Sequence, residues 1–400
     1  MVARTVFKPF CVKYSMPMGL SQRAAGIKES PTFAISTKAK RMKSEGIDMI
    51  DFGIGQPMDF EPPEVLKVAV TESLHQPGIG RYIHPAGLPE LREALCNKLK
   101  RDNGIDYKTE QVMVTSGGKH ALYNIMQSIL DPGDEVIVPV PYWVSYPDMI
   151  TLACGKQVNV ETDENFNLTA DQIAEKLTNR TKAIIINSPN NPSGAMMHES
   201  ELKRIADLAV ENRVYVISDE CYEAFVYDGE MVSIASLNDE IKQNTFTVNT
   251  MSKTYAIPGW RLGYVAGPED VINAMTAIQS NSTSNITSLL QPAAAKSLLG
   301  LQDNISRMRE VFRERRDAMV AGLNDMGLKC PMPQGAFYAF PRLPEGQKNS
   351  IKFATELLEK RHVAVIPGSA FGRDGHVRIS YADSMEMIEE GLDRLRKFVL

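Results

Sequence analysis

Lys253 stands among hydroxyl residues, in the run Thr250, Met251, Ser252, Lys253, Thr254, and Arg261, Leu262 and Gly263 follow shortly after. A primary amine with hydroxyls and a guanidinium around it suits a Schiff base to a phosphorylated aldehyde. The amine attacks the carbonyl carbon, while Thr250, Ser252 and Arg261 hold the phosphate. Asp219 follows an apolar run and has no metal-ligand spacing near it. A carboxylate buried there needs a cationic partner, and a protonated ring nitrogen would serve. Tyr222 and the amide of Asn191 can direct hydrogen-bonding groups at a ring oxygen. Gly117 and Gly118 open a helix after a strand, so their N–H groups form a ready anion site. They are not part of a nucleotide-binding P-loop, because His120 stands where Ser or Thr is needed and Met113 replaces the first glycine. Trp143 can stack on a planar ring, Gly55 permits a close backbone approach, and Arg378, alternating with apolar neighbours, can fork a carboxylate. Singly, each has a plainer reading: a solvated lysine, an Asp capping a helix, a core tryptophan, a turn glycine, a surface arginine. Their common placement decides the matter.

That placement follows from the hydrophobic pattern. Residues 112–115, 135–139, 183–187, 214–218 and 245–249 read as strands, with helices expected after Ser116 and over 199–212. The run 183–187 is almost wholly apolar, as a strand covered on both faces would be. Asn191, Asp219 and Lys253 each follow a strand end in consecutive βα units. Such ends share one edge of a parallel sheet, where open α/β sheets bind ligands. Residues 262–266 read as an antiparallel strand. Before this region, helices are expected over 36–42, 63–74 and after the loop 81–92, with a short strand in 49–57. After it, 293–326 reads as one long linking helix with a solvated Arg- and Glu-rich face. Segments 335–340, 353–360, 363–368 and 376–381 then suggest a smaller α+β unit.

Composition narrows the function classes. The 400 residues carry a formal net charge of -5 and no long basic run, which argues against a nucleic-acid partner. No apolar stretch is long enough to span a membrane. The five cysteines are scattered without a C-x-x-C pair, so they read as reduced thiols of an intracellular protein. The six histidines lack metal-binding spacing, so no metal site is expected. Residues 1–28 contain Arg4, Lys8, Lys13, Arg23 and Lys28 but no acidic residue. That fits an organellar transit segment, a disordered tail, or a mis-assigned start with Met16 or Met18 as the true one. Few serines and only two arginines favour the latter two, hence a cytoplasmic protein.

Taken together, Ser252 and Lys253 with Arg261, Leu262 and Gly263, the turn Asn190, Asn191, Pro192, Ser193, Gly194, and the pair Asp219 and Tyr222 resemble the class I pyridoxal-phosphate aminotransferases of fold type I. The likeness runs from about Ser30 onward and is nearest to the bacterial-type aspartate aminotransferases. It implies an α/β fold: a large domain with a mostly parallel seven-stranded sheet, and a smaller α+β domain. It divides the chain into an extension at 1–30, part of the small domain at 31–60, the large cofactor-binding domain at 61–300 and the rest of the small domain at 301–400. By this resemblance Lys253 bonds covalently to pyridoxal 5'-phosphate, Asp219 pairs with its ring nitrogen, and Tyr222 and Asn191 reach its ring oxygen. Trp143 stacks on the ring, and Gly117, Gly118, Thr250, Ser252 and Arg261 bind the phosphate. Tyr82 would reach the phosphate of a partner subunit, which implies a homodimer. Arg378, beside the Gly55 backbone, would bind the substrate α-carboxylate, and Lys119 would face a distal carboxylate. Thr250 departs from the family's Ser or Gly but keeps a hydroxyl.

The implied reaction is ping-pong transfer of an amino group from an L-amino acid, best read as aspartate, to 2-oxoglutarate. Aromatic amino acids or prephenate are the nearest alternatives, then a β-lyase. A non-catalytic regulator built on the same domain is disfavoured, because no basic helix-turn-helix precedes Ser30.

Overall fold

The computed structural model describes residues 19–27, 31–298, 300 and 302–400. Most of the basic segment 1–28, with Cys11, lies outside the described residues. Among the described residues, twelve strands form three sheets. In chain order they are β1 (Ile50–Asp51), β2 (Val112–Thr115), β3 (Glu135–Val140), β4 (Lys156–Glu161), β5 (Thr181–Asn187), β6 (Tyr215–Asp219), β7 (Thr245–Thr250), β8 (Gly263–Ala266), β9 (Tyr338–Ala339), β10 (Val363–Ala364), β11 (Ile366–Pro367) and β12 (Val377–Ser380).

The large domain is built on a seven-stranded sheet in the order β2-β8-β7-β6-β5-β3-β4. Only β8 runs against its neighbours, pairing antiparallel with both β2 and β7. All other pairs are parallel, so β2, β3, β5, β6 and β7 end on the same edge. Helices cover both faces, so every residue of β7 and β8 is buried, and the apolar run in β5 follows from the same cover. The helix Gly117–Ile129 inserts Ala121, Leu122, Ile125, Met126 and Ile129 into this core at helical spacing. Its buried Asn124 accepts no strand partner but takes Nδ2–H···Oε1 contact with Gln279 at 3.1 Å, and Gln279 donates to the Val114 carbonyl at 2.9 Å.

The smaller α+β domain carries the antiparallel sheet β11-β12-β9 and the parallel pair β1–β10. Its core includes Ile35, Ile50 and Phe52 from early in the chain and Phe353, Leu357, Ile379 and Leu395 from late in it. Tyr222 and Phe225, just past β6, belong to this same cluster with Phe337 and Tyr338, so the two domains pack through the segment after Asp219.

Three expectations fail in instructive ways. The helix expected over 293–326 is two helices, Leu290–Ser297 and Gln302–Asp325. Its arginines are not all solvated: Arg315 and Arg316 are buried, paired with Asp59 and Asp228 respectively. Periodicity could not show this, because the acidic partners come from distant segments. The strand expected in 49–57 shrinks to Ile50–Asp51. Edge strand β4 was not read as a strand at all; only Val160 of it is buried, so its apolar signal is weak. Among the described residues no helix is long and apolar enough to cross a membrane, and no cluster of His, Cys, Asp or Glu is arranged for a metal. Cys96, Cys154, Cys221 and Cys330 are free thiols.

Candidate active site

A cavity of about 480 Å³ opens at the shared strand edge, between it and the smaller sheet. Lys119, Trp143, Asn191, Asp219, Tyr222 and Lys253 enter it from segments that follow β2, β3, β5, β6 and β7. Arg378 of β12 and Gly55, just after β1, close the opposite side. Gly118, Thr250, Ser252 and Arg261 also line it. Of the residues singled out from sequence, Gly117 lies one step behind the wall and Tyr82 is elsewhere, 88% exposed.

Local structure explains how each group is aimed. Thr250 ends β7 and caps the short helix Met251–Thr254: its Oγ1 accepts from the Ser252 N–H at 3.2 Å and donates toward Ser252 Oγ at 2.8 Å. That cap turns Lys253 into the cavity, where its Nζ donates to the Gly55 carbonyl. Arg261 takes a left-handed conformation (φ 57°) and donates to the Pro258 and Ser116 carbonyls at 3.0 and 3.2 Å. Its guanidinium thereby lies against the start of the helix Gly117–Ile129. The approach requires glycine. A Cβ on Gly117 (φ +73°) would sit 2.7 Å from Arg261 Nη2, and one on Gly263 would sit 2.4 Å from the Gly117 carbonyl carbon. In the sequence Gly263 stands out only as part of the lysine motif; its role is to let β8 touch this turn.

At the floor, Asp219 is 5% exposed and accepts from the Tyr146 hydroxyl at 2.7 Å and from the Cys221 N–H at 3.3 Å. Burial raises its pKa against those hydrogen bonds, and no cation pairs with it among the described residues. Tyr222, also buried, has its hydroxyl 3.3 Å from Asn191 Nδ2 and 3.0 Å from the Tyr338 hydroxyl. Asn191 is held in turn by Asn187, whose Oδ1 accepts its N–H at 2.8 Å while Nδ2 donates to the Asp219 carbonyl at 2.9 Å. Trp143 stands edge-on to Tyr146 with centroids 5.4 Å apart, and Lys119 Nζ lies 4.9 Å from its ring.

The electrostatics are lopsided. Lys119, Lys253, Arg261 and Arg378 surround one cavity, and their partners are carbonyls, an amide and ring faces rather than carboxylates. Arg378 donates to Asn191 Oδ1 at 3.0 Å and to the Gly53 carbonyl at 2.8 Å, stacks 4.5 Å over Tyr338, and leaves its buried Nε without a partner. Burial lowers the Lys253 pKa to about 8; Cys221 opposes this, and Arg378, Arg261 and Lys119 add to it. Lys119 is likewise lowered by burial and by Arg261. Four cations, of which Lys119 feels a nearby carboxylate (Asp148), and one buried carboxylate that no cation pairs with among the described residues describe a site for an anionic molecule with a cationic ring nitrogen. Pyridoxal phosphate with an amino acid fits that charge pattern.

Several residues here went unread in the sequence. Tyr338 sits in the apolar run 335–340, and nothing in the pattern around Tyr146 marks it for the site. Asn187 closes the run 183–186, and that polar end was the available signal.

Comparison with known proteins agrees with this geometry. The family model described as aminotransferase class I and II matches residues 47–395. A probable aspartate/prephenate aminotransferase of Aquifex aeolicus is 45% identical over 96% of this chain and 99% of its own length. An aspartate aminotransferase of Bacillus sp. (strain YM-2) is 44% identical over 95% of this chain and 99% of its own. The structure of the Thermus thermophilus aspartate aminotransferase with maleate superimposes with a TM-score of 0.91 at 43% identity, covering 96% of this chain and all of that one. A cavity charged for a phosphorylated cofactor and full-length likeness to transaminases lead to one assignment: this chain belongs to aminotransferase class I and II and is a pyridoxal-phosphate-dependent transaminase.

Proposed function

We propose that the chain transfers the amino group of L-aspartate to 2-oxoglutarate. The observation carrying this choice is the surplus of cations. Arg261 beside Gly117 suits the phosphate and Arg378 suits the α-carboxylate, which leaves Lys119 at the cavity wall for a second carboxylate. The relatives' names point the same way.

Bound pyridoxal phosphate supplies a ring that withdraws electrons from the substrate Cα and a carbon that accepts the amino group. The chain's own residues do the rest. Gly117, Gly118, Thr250, Ser252 and Arg261 hold the phosphate; Trp143 covers a ring face; Tyr222 and Asn191 hydrogen-bond the ring oxygen. Asp219 keeps the ring nitrogen protonated. Lys253 would anchor the group through its amine and, when free, would be the base that moves the Cα proton. Its pKa, lowered to about 8, suits that duty, since roughly a tenth of the amine is then uncharged at pH 7, far more than at the ordinary value. Arg378 and the Gly55 backbone orient the α-carboxylate. The second half-reaction reverses these steps with 2-oxoglutarate.

The first test is spectroscopic. A visible cofactor band that bleaches with aspartate and returns with 2-oxoglutarate supports the reading; a band unmoved by aspartate but bleached by alanine or phenylalanine sinks it. Prephenate is a second reading, favoured by the Aquifex relative, and it too carries two carboxylates that Lys119 could serve. Lys119→Ala is expected to lower kcat/KM for aspartate about 10- to 100-fold, the worth of one charge-assisted hydrogen bond, while alanine turnover stays within about twofold. Equal losses for both amino acids would remove Lys119 from the distal site.

We further infer a homodimer in which Tyr82 completes the neighbouring phosphate site. Tyr82 is almost wholly exposed, and Val65, Val68 and Leu74 of the preceding helix are also exposed, an apolar face that association would cover. Sedimentation as a dimer is expected, with Tyr82→Phe weakening cofactor affinity about tenfold. A monomer that keeps full affinity refutes this. The division at residues 60 and 300 is supported by the β1–β10 pairing, which ties 31–60 to 301–400.

A further inference from the structure

Tyr338 is in contact with three parts of the site at once, and the transamination scheme above assigns it nothing. Its hydroxyl lies 3.0 Å from that of Tyr222, its only hydrogen-bond partner among the described residues. Its ring lies 4.5 Å under the Arg378 guanidinium. Its Oη also occupies the space beside Gly55 so closely that a Cβ there would come within 2.8 Å. The side chain is 1% exposed, packed edge-on against Tyr222 and, tilted, against Phe337 at 4.8 Å. It therefore has no freedom to turn its hydroxyl elsewhere.

We propose that Tyr338 is a positioning residue that acts through Tyr222: its hydroxyl donates to Tyr222 Oη and so directs the Tyr222 proton into the cavity, at the cofactor's ring oxygen. The assignment rests on the cofactor placement proposed above.

Proton counting supports the direction. Tyr222 Oη has one hydrogen and meets Asn191 Nδ2, which can only donate, and Tyr338 Oη, which can do either. If Tyr222 gave its hydrogen to Tyr338, the Tyr338 hydrogen would find no acceptor among the described residues and could turn only to the cavity that Tyr338 lines, and a buried donor without a partner is costly. With the bond reversed, Tyr338 and Asn191 both donate to Tyr222 Oη, and the Tyr222 hydrogen is left for the ring oxygen. Donation into an oxygen strengthens the bond that oxygen makes as a donor. A stronger hydrogen bond on the ring oxygen stabilises its anionic form and lowers the basicity of the nitrogen joined to Lys253. The Tyr338 ring meanwhile supports Arg378, so one side chain serves the cofactor end and the carboxylate end of the site.

The experiment is an absorbance titration of the holoenzyme against pH, in the wild type, Tyr338→Phe, Tyr222→Phe and the double variant. The charged groups facing Tyr222 and Tyr338 are Arg378 on β12 and Lys253 and Asp219 beyond Cys221; all are kept in every variant, so they cancel. Tyr338→Phe should raise the midpoint of the visible band by roughly half a pH unit, lower kcat about three- to tenfold and leave the aspartate KM within about twofold, because the ring under Arg378 remains. Added to Tyr222→Phe, it should shift the midpoint no further. Gly55→Ala, which pushes a methyl at Tyr338 Oη, should move the midpoint upward as well. An unmoved midpoint in Tyr338→Phe, or an equal shift in both backgrounds, overturns the proposal. A wild-type protein with no visible band would instead overturn the cofactor assignment beneath it.

Discussion

Lys253→Ala will lower kcat by at least about four orders of magnitude while the protein stays folded. General base catalysis alone contributes about 10²- to 10⁴-fold, and the covalent anchor is lost with the same side chain. Lys119, the other cavity amine, cannot substitute, since it lies over Trp143 and is not bonded at Gly55 as Lys253 is. Lys253→Arg should be as inactive, because a guanidinium stays charged. The pH dependence follows from the amine. With a pKa near 8, its uncharged fraction, and so the rate at which stripped protein reloads cofactor, should rise about tenfold per unit from pH 6 to 7 and level above about 8. The stability sign is also fixed. The folded pKa lies below the ordinary 10.5, so the unfolded chain binds the proton more readily. The resulting destabilisation is fully present below about pH 8 and fades as pH rises toward 10.5. Cofactor-free Lys253→Ala should therefore match or exceed the wild type in Tm at pH 7. Single-turnover kinetics and melting at two pH values test both points; substantial turnover in Lys253→Ala would end its role as base.

Much of this architecture was legible because parallel strands buried on both faces write apolar or β-branched runs: β5 and β6 carry apolar cores, and β7 is rich in β-branched and aromatic residues. Once those strands were placed, one sheet edge had to collect Asn191, Asp219 and Lys253, whatever their individual plausibility. What pattern could not show was partnership across the chain. Arg315 and Arg316 read as a solvated face until Asp59 and Asp228 stand opposite them. Tyr146 and Tyr338 carry no mark in the pattern because their rings are core; only the hydroxyls, at Asp219 and at Tyr222, belong to the site. Edge strand β4 was lost for the opposite reason, having one solvated side and little apolar content. Tyr82 is a different case. Its exposure gives it no local partner, so the likeness to relatives, not the pattern, is what marks it.

Asp219→Asn separates the charge of that carboxylate from its shape. The amide oxygen can still accept from Tyr146, which donates at 2.7 Å, so fold and Tm should change little. Asp219→Ala would instead leave the buried Tyr146 hydroxyl unpartnered, a cost of about 1–3 kcal/mol set against relief of a desolvated carboxylate. For catalysis the two variants should be nearly equal. Removing one preorganised group at a developing charge costs about 10²- to 10³-fold, and here the group is a full charge in a buried site, so kcat/KM should fall at least about a thousandfold in both. The reason is the ring nitrogen. Without a carboxylate beside it, burial favours its neutral form, and the ring no longer draws electrons from the substrate Cα. The decisive control is a cofactor analogue methylated at that nitrogen, whose charge does not depend on a proton. It should recover a substantial part of the Asp219→Ala loss and gain nothing in the wild type. Equal activity of the variant with either cofactor would mean that Asp219 holds the Tyr146 side of the pocket in shape rather than holding a proton on the ring.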